Sequence, residues 1–137
     1  MWPSERTEQQ HSIPRLRGEL STGAQPTHLA SASRTVIEET VAQVFDVKRS
    51  EIDLQTRGKA PTALARQVAM YLAHTALGIT MRDTGSLFRR DRTTVSHACG
   101  LIEDRRDDPI FDRALELLEW AVVARLLSHR FGKPHRI

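Results

Sequence analysis

The pattern of apolar and polar residues predicts a polar tail followed by a helical domain. Residues 1–33 contain scattered proline and glycine among many Ser, Thr and Gln, and their apolar residues follow no period. This composition is typical of a disordered or flexible tail. Apolar residues then recur at helical spacing, with Glu38 and Glu39 on the opposite side of the helix. The residues of this first apolar series are Val36, Ile37, Val41, Val44 and Phe45. We therefore expect the first helix to begin near Ser33 or Arg34, with Ser33 as a possible cap.

Capping and breaking residues divide the rest of the chain into five more helices. Ser50 and Thr80 are good N-cap residues, as are Asp91 or Thr93, while Pro61 suits a first helical turn. The predicted ranges are about 50–54, 61–77, 81–88, 94–105 and 108–128, with a basic loop at 55–60. The sequence predicts an all-α bundle of about six helices at 34–128, followed by a basic C-terminal tail at 129–137.

Charge and composition narrow the function classes. Lys and Arg number 20 against 17 Asp and Glu, and arginine supplies most of the positive charge. Arginine suits contacts to phosphate and guanine but is also common in proteins from GC-rich genomes, and both explanations stay open. A single cysteine, Cys99, rules out an intramolecular disulfide and a cysteine-built zinc site. Because the chain shows neither a signal peptide nor a long apolar run, we expect a cytoplasmic, nucleoid-associated protein without membrane contact.

Residues 80–103 carry the motif that predicts DNA binding. A short helix, a polar turn and a second helix in this order are typical of a helix-turn-helix. Gly85 and Ser86 are small enough for the two helices to cross, and Leu87 and Phe88 supply the buried face of the first. In the second helix, an inward stripe is predicted at Val95, Ala98 and Ile102. The predicted outward residues are Arg92, Thr93, Ser96 and His97.

The same stretch resembles the C-terminal DNA-binding domain of the bacterial replication initiator DnaA. The family signature reads approximately Gly-Arg-Asp-His-Thr-Thr-Val-x-His-Ala, and residues 90–99 read Arg-Asp-Arg-Thr-Thr-Val-Ser-His-Ala-Cys. Residues 65–70 and 44–48 resemble two earlier segments of that domain. The resemblance covers about residues 34–119 and implies an all-helical domain that recognises a nine-base-pair site, the DnaA box.

The resemblance also implies roles for individual residues. Asp91, Arg92 and Thr93 match the signature residues that read bases in the major groove. Arg57 is the best match for an arginine that enters the minor groove. Phosphate contacts fall to Arg66 and to His74, which stands where the family has lysine. The remaining predicted DNA-binding residues are Lys59, Arg89, Arg90, Thr94, Ser96 and His97.

Three departures from the family pattern affect this interpretation. The basic loop after Arg57 is about one residue shorter than in the family, which bears on the minor-groove assignment. Arg92 stands where the family has histidine, so base preference can differ at that position. The turn Phe88-Arg89-Arg90 is one residue shorter than the family's Phe-Gly-Gly-Arg.

The expected function is regulatory binding to double-stranded DNA, without catalysis. No Gly-x-x-x-x-Gly-Lys-Ser/Thr loop is present, and about 33 loosely built N-terminal residues are too few for the initiator's ATPase module. We therefore expect a stand-alone reading head that regulates transcription or modulates replication initiation, with no nucleotide or other cofactor. His97 and Cys99 point to different sides of a helix, so we expect no metal.

The last helix leaves a second function open. Its apolar residues lie on more than one face, which fits either a core helix or a surface for a homodimer or another protein. These residues are Ile110, Phe111, Leu115, Leu117, Leu118, Ala121, Val122, Leu126 and Leu127. The alternative hypothesis is an interaction protein that recruits a partner through this helix and binds DNA weakly or without sequence preference.

Overall fold

The computed structural model describes residues 26–53 and 60–130, and their regular structure is entirely helical. The helices are α1 (Pro26–Phe45), α2 (Arg49–Asp53), α3 (Ala60–Thr75), α4 (Met81–Phe88), α5 (Arg92–Arg105) and α6 (Pro109–Arg130). The prediction of an all-α fold of about six helices is confirmed. Among the described helices, none combines the length and apolar character needed to cross a membrane.

Helix α1 begins earlier than the sequence pattern predicted. It starts at Pro26, and proline is favoured in a first helical turn because its missing N–H has no partner there in any case. Ala30 and Ala32 follow and favour the helical conformation. Ser33 lies inside the helix and is fully buried, so its assignment as a possible cap is wrong.

The buried face of α1 is partly different from the predicted one. Val36, Ile37 and Val41 are buried as expected, but Val44 is exposed. Glu38, predicted on the outer side, is only 1% exposed. Its two carboxylate oxygens accept hydrogen bonds from Arg34 Nε and Arg49 Nε, each at 3.0 Å. These two positive partners compensate the cost of burying the carboxylate.

Helix α3 is the centre of the bundle. Its buried residues occupy almost every side of the helix because α1, α2, α4 and α5 all pack against it. They include Ala65, Val68, Ala69, Leu72 and Ala73, whose modest size allows close helix packing. Gly78, with φ of 73°, follows the helix and turns the chain towards α4.

Helix α6 packs against α1 and is joined to α5 by buried polar groups. Arg106, at the end of α5, is buried and donates from Nη1 to Tyr71 Oη at 3.0 Å and to Glu119 Oε2 at 3.4 Å. Tyr71 in turn donates its hydroxyl to Glu103. Burial and this hydrogen bond raise the pKa of Tyr71, which keeps it a neutral donor. The network fixes the C-terminal end of α5 against α3 and α6.

Candidate nucleic-acid interface

Helices α4 and α5 form a helix-turn-helix around a tight three-residue turn. Thr80 caps α4 as predicted, its side chain accepting from the Asp83 N–H at 3.0 Å. Arg89 follows α4 in the left-handed region with φ of 57°, and the Arg90 N–H bonds the Gly85 carbonyl at 2.8 Å. These bonds close the end of α4 in the manner of a Schellman motif.

Gly85 is required where the turn folds back on α4. A Cβ added to Gly85 would lie 2.5 Å from the carbonyl oxygen of Arg90. No side chain fits at that distance, so the small residue predicted for the crossing is needed here. The close approach fixes the direction in which α5 leaves the turn.

Helix α5 presents the two faces that the sequence predicted. Val95, Ala98 and Ile102 are buried and pack into the core, together with Cys99. The opposite face is exposed and polar, and its residues are Arg92, Thr93, Thr94, Ser96 and His97. Hydroxyl, guanidinium and imidazole groups therefore face outward from a helix whose opposite face is packed into the core.

The polar side chains at the start of α5 are not bonded to other described residues and can contact a ligand. Asp91 is the N-cap residue by its backbone, with φ of −64° and ψ of 150°, but its carboxylate makes no capping hydrogen bond. Within the described residues, the side chains of Asp91, Arg92 and Thr93 make no hydrogen bond or ion pair. The free N–H groups of this helix end also favour a nearby anion such as phosphate.

Two other predicted contact residues already have partners inside the protein. Arg66 is buried and donates to the Ile52 and Glu51 carbonyls at 3.0 and 2.9 Å, which ties α3 to the end of α2. His74 Nδ1 lies 2.7 Å from the Ile79 carbonyl oxygen.

The predicted arginines of the turn also interact within the protein. Arg89 is paired with Asp53, and Arg90 Nη1 lies 3.4 Å from the Phe88 and Arg89 carbonyl oxygens. Arg57 and Lys59 lie outside the described residues. The DNA contacts of all these residues stay predictions.

Asp53 is a residue of this region that the sequence did not indicate. It ends α2, and its carboxylate accepts hydrogen bonds from Arg34 and Arg89. These partners lie 19 and 36 residues away in sequence, so no local period could reveal the pairing. The only sequence feature that pointed to this region was the turn Phe88-Arg89-Arg90, which is one residue shorter than in the family and places Arg89 directly after α4.

A helix-turn-helix with an exposed polar first turn on its second helix defines the class: a helix-turn-helix DNA-binding domain. Within that class, the chain belongs to the family described as the bacterial dnaA protein helix-turn-helix, whose model matches residues 34–102. Domains of this family bind DNA and are not themselves catalytic.

Individual relatives support the same assignment. The chain is 36% identical over 84 residues to the chromosomal replication initiator protein DnaA of Symbiobacterium thermophilum, covering 60% of this chain and 18% of that protein. It is 33% identical over 99 residues to the chromosomal replication initiator protein DnaA 2 of Chlamydia pneumoniae, covering 72% of this chain and 22% of that protein. The chain thus spans about a fifth of the length of these relatives.

Proposed function

We propose that this protein binds duplex DNA sequence-specifically, at a site similar to the DnaA box, and regulates transcription or replication initiation on the chromosome in the cytoplasm. The observation that carries the proposal is the first turn of α5, where Asp91, Arg92 and Thr93 are exposed and have no partner among the described residues. The family membership supports DNA binding itself. The proposed activity requires no catalysis, nucleotide, metal or other cofactor.

In the proposed complex, α5 lies in the major groove with its N-terminal turn against the base edges. Asp91 can accept a hydrogen bond from cytosine, and Arg92 can donate two to guanine. Thr93 offers a hydroxyl to a base edge and a methyl group to thymine. Thr94, Ser96 and His97 continue the exposed face of the helix.

Contacts to the DNA backbone would position the domain on its site. Arg66, His74 and Arg90 are assigned to phosphate, and their present hydrogen bonds hold α2 and the two turns that flank α4. The basic loop with Arg57 and Lys59 is assigned to the adjacent minor groove on the family resemblance.

The test is selection of bound duplexes from a random pool at two salt concentrations, followed by affinity measurements on the enriched motif. Arg92→Ala should lower affinity for that motif by about 1–3 kcal/mol, or roughly 5- to 150-fold, and relax the preference at one base pair. Arg113→Ala is the matched control, since Arg113 is an exposed arginine of α6 paired with Glu116. If Arg92→Ala and Thr93→Ala both bound the motif like the wild-type protein, the docking would be refuted.

A second function is favoured by the outer face of α6. Ile110, Leu117 and Trp120 are 80%, 55% and 42% exposed, respectively. With the exposed Ala114 and Ala124 they form one stripe along the helix. This stripe is the part of the predicted apolar surface that the core leaves uncovered.

We propose that the stripe binds the α6 helix of a second copy of this chain. If two α6 helices run antiparallel and cross at Leu117, Ile110 faces Ala124 and Ala114 faces Trp120, so large residues meet small ones. Two joined reading heads would gain the specificity that a single head lacks.

Sedimentation equilibrium of the wild-type protein should show dimers that Leu117→Asp converts to monomers, while Arg113→Ala stays dimeric. A wild-type protein that is monomeric at every concentration would rule out self-association. The stripe would then have to bind a different protein.

A further inference from the structure

Asp53 links three elements at the edge of the helix-turn-helix. It is the last residue of α2, and both of its carboxylate oxygens lie 3.0 Å from Nη2 of Arg89. Its Oδ1 also accepts a hydrogen bond from Arg34 of α1. Arg34 itself is shared with Glu38, which bonds its Nε at 3.0 Å. Arg34 thus divides its hydrogen bonds between two carboxylates, whereas Arg89 pairs with Asp53.

Arg89 occupies a backbone position that does not favour an arginine. Its φ of 57° lies in the left-handed region, where glycine is the least strained residue. The side chain is 60% exposed, and it lies three residues before Arg92 of α5. An exposed guanidinium at this place would lie close to the DNA backbone if α5 entered the major groove.

The negative charge of Asp53 acts on more than one arginine of the turn. Burial lowers the pKa of Arg90, the carboxylate of Asp53 opposes that change, and the charge of Arg89 adds to it. Asp53 is thus the acidic group that Arg34, Arg89 and Arg90 share in their charge interactions. Because phosphate contacts supply sequence-independent affinity, the number of arginines free to reach phosphate sets how strongly the domain holds any DNA.

We propose that Asp53 limits the affinity of the domain for DNA of any sequence, because its pairing with Arg89 keeps that arginine from the phosphate backbone. Asp53 acts through Arg89 and is a positioning residue. The inference rests on the proposed docking of α5, which supplies the sequence-dependent part of the affinity. Because a phosphate contact carries no sequence information, the pairing lowers the affinity for the selected motif and the affinity for mixed-sequence DNA alike.

The test is Asp53→Asn, which keeps the shape of the side chain and removes its charge. Affinity for a mixed-sequence duplex is measured by fluorescence anisotropy across a salt series. One additional phosphate contact should steepen the slope of log affinity against log salt by about 0.9. The affinity advantage of the variant over the wild-type protein should then shrink about threefold between 50 and 200 mM salt. Affinity for the selected motif should rise by a similar factor, because a phosphate contact carries no sequence information.

The matched control repeats Asp53→Asn in an Arg89→Ala background. If the substitution acts by releasing Arg89, its effect on the salt slope disappears in that background. An effect that persists would come from the lost negative charge or from the release of Arg34, and it would overturn the role of Arg89. Asp53→Ser serves as a second neutral variant if the asparagine variant does not fold, and Asp53→Glu should restore the wild-type slope.

The outcomes separate this inference from the proposed function. An unchanged or shallower slope for Asp53→Asn overturns the inference, because Arg89 is then either not released or already on phosphate in the wild-type protein. That result leaves the docking intact as long as Arg92→Ala weakens binding to the selected motif. If Arg92→Ala has no effect on motif binding, the docking itself fails, whatever the slope of the Asp53 variants.

Discussion

Gly85 offers the sharpest test of how the turn positions α5. An alanine there would place its Cβ 2.5 Å from the Arg90 carbonyl oxygen, which is backbone and cannot rotate away. The turn must open by several tenths of an ångström at least. Opening it strains the hydrogen bond from the Arg90 N–H to the Gly85 carbonyl, now 2.8 Å long. The perturbation is one methyl group at the junction of α4 and the turn.

The expected cost follows from three contributions. Overpacking a tight site costs about 1–3 kcal/mol. A weakened backbone hydrogen bond adds up to about 1 kcal/mol. Replacing glycine by alanine within a helix returns about 1 kcal/mol. The net expectation for Gly85→Ala is a loss of about 2 kcal/mol in the free energy of unfolding, or a fall in Tm of roughly 8–16 °C for a domain of this size.

Gly100 provides the matched control for stability. It also lies within a helix, α5, but a Cβ added there would meet nothing within 4 Å. Gly100→Ala should therefore gain about 1 kcal/mol from helix propensity alone. Urea unfolding followed by circular dichroism compares both variants with the wild-type protein.

DNA binding adds a second measurement for Gly85→Ala. Under conditions where this variant is folded, a displaced turn should still weaken binding by the equivalent of one base contact, about 1–3 kcal/mol. A Gly85→Ala protein as stable as the wild type, or stabilised to the same degree as Gly100→Ala, would refute the argument from close approach.

Three other substitutions, together with one control, test the capping, the buried charge and the buried thiol. Thr80→Ala removes the side-chain cap of α4 and should cost about 1 kcal/mol in urea unfolding, and an unchanged midpoint would contradict the cap. Glu38→Gln should cost about 2 kcal/mol because it weakens two charged hydrogen bonds at a buried site. Glu39→Gln, at the exposed neighbouring position, should stay within about 0.5 kcal/mol of the wild type. Burial, together with the negative charge of Glu103, raises the pKa of the Cys99 thiol from 9.0 to about 11. Since the unfolded thiol ionises first, stability should fall as the pH rises from 9.0 towards about 11, and Cys99→Ala should remove that part of the decline.

The helix-turn-helix was readable from sequence because its signals are local. A cap residue, a small residue at the crossing and a stripe at i, i+3 and i+7 all lie within one stretch of chain. Thr80, Gly85 and the buried face of α5 accordingly occupy the positions that the pattern predicted. Each depends on neighbours only a few residues away, so the period of the sequence contains the necessary information.

The sequence pattern did not reveal the bonds of residues whose partners are distant in sequence. From its position in the period, Glu38 is expected on the outer side of an amphipathic helix. In the fold it is buried, and Arg49, 11 residues later, donates a hydrogen bond to it. The phosphate contact of Arg66 stays a prediction, but the pattern did not reveal that its guanidinium bonds carbonyl groups 14 and 15 residues earlier. Helix periodicity predicts which side of a helix a residue occupies, but not which charged group the fold brings to that side.

Several arginines of the protein are already bonded within the fold. Arg66 and Arg106 are buried and bonded within the fold, and Arg89 is paired with Asp53. Of the predicted DNA-contacting arginines in the described residues, Arg92 alone makes no hydrogen bond or ion pair there. The net charge of +3 therefore does not say how many guanidinium groups the described face can offer to phosphate without breaking a bond inside the protein. Since general electrostatic attraction is the sequence-independent part of DNA affinity, a face with few free cations leaves discrimination to the first turn of α5. On the same reasoning, a single carboxylate, that of Asp53, would change how strongly the domain holds DNA of any sequence.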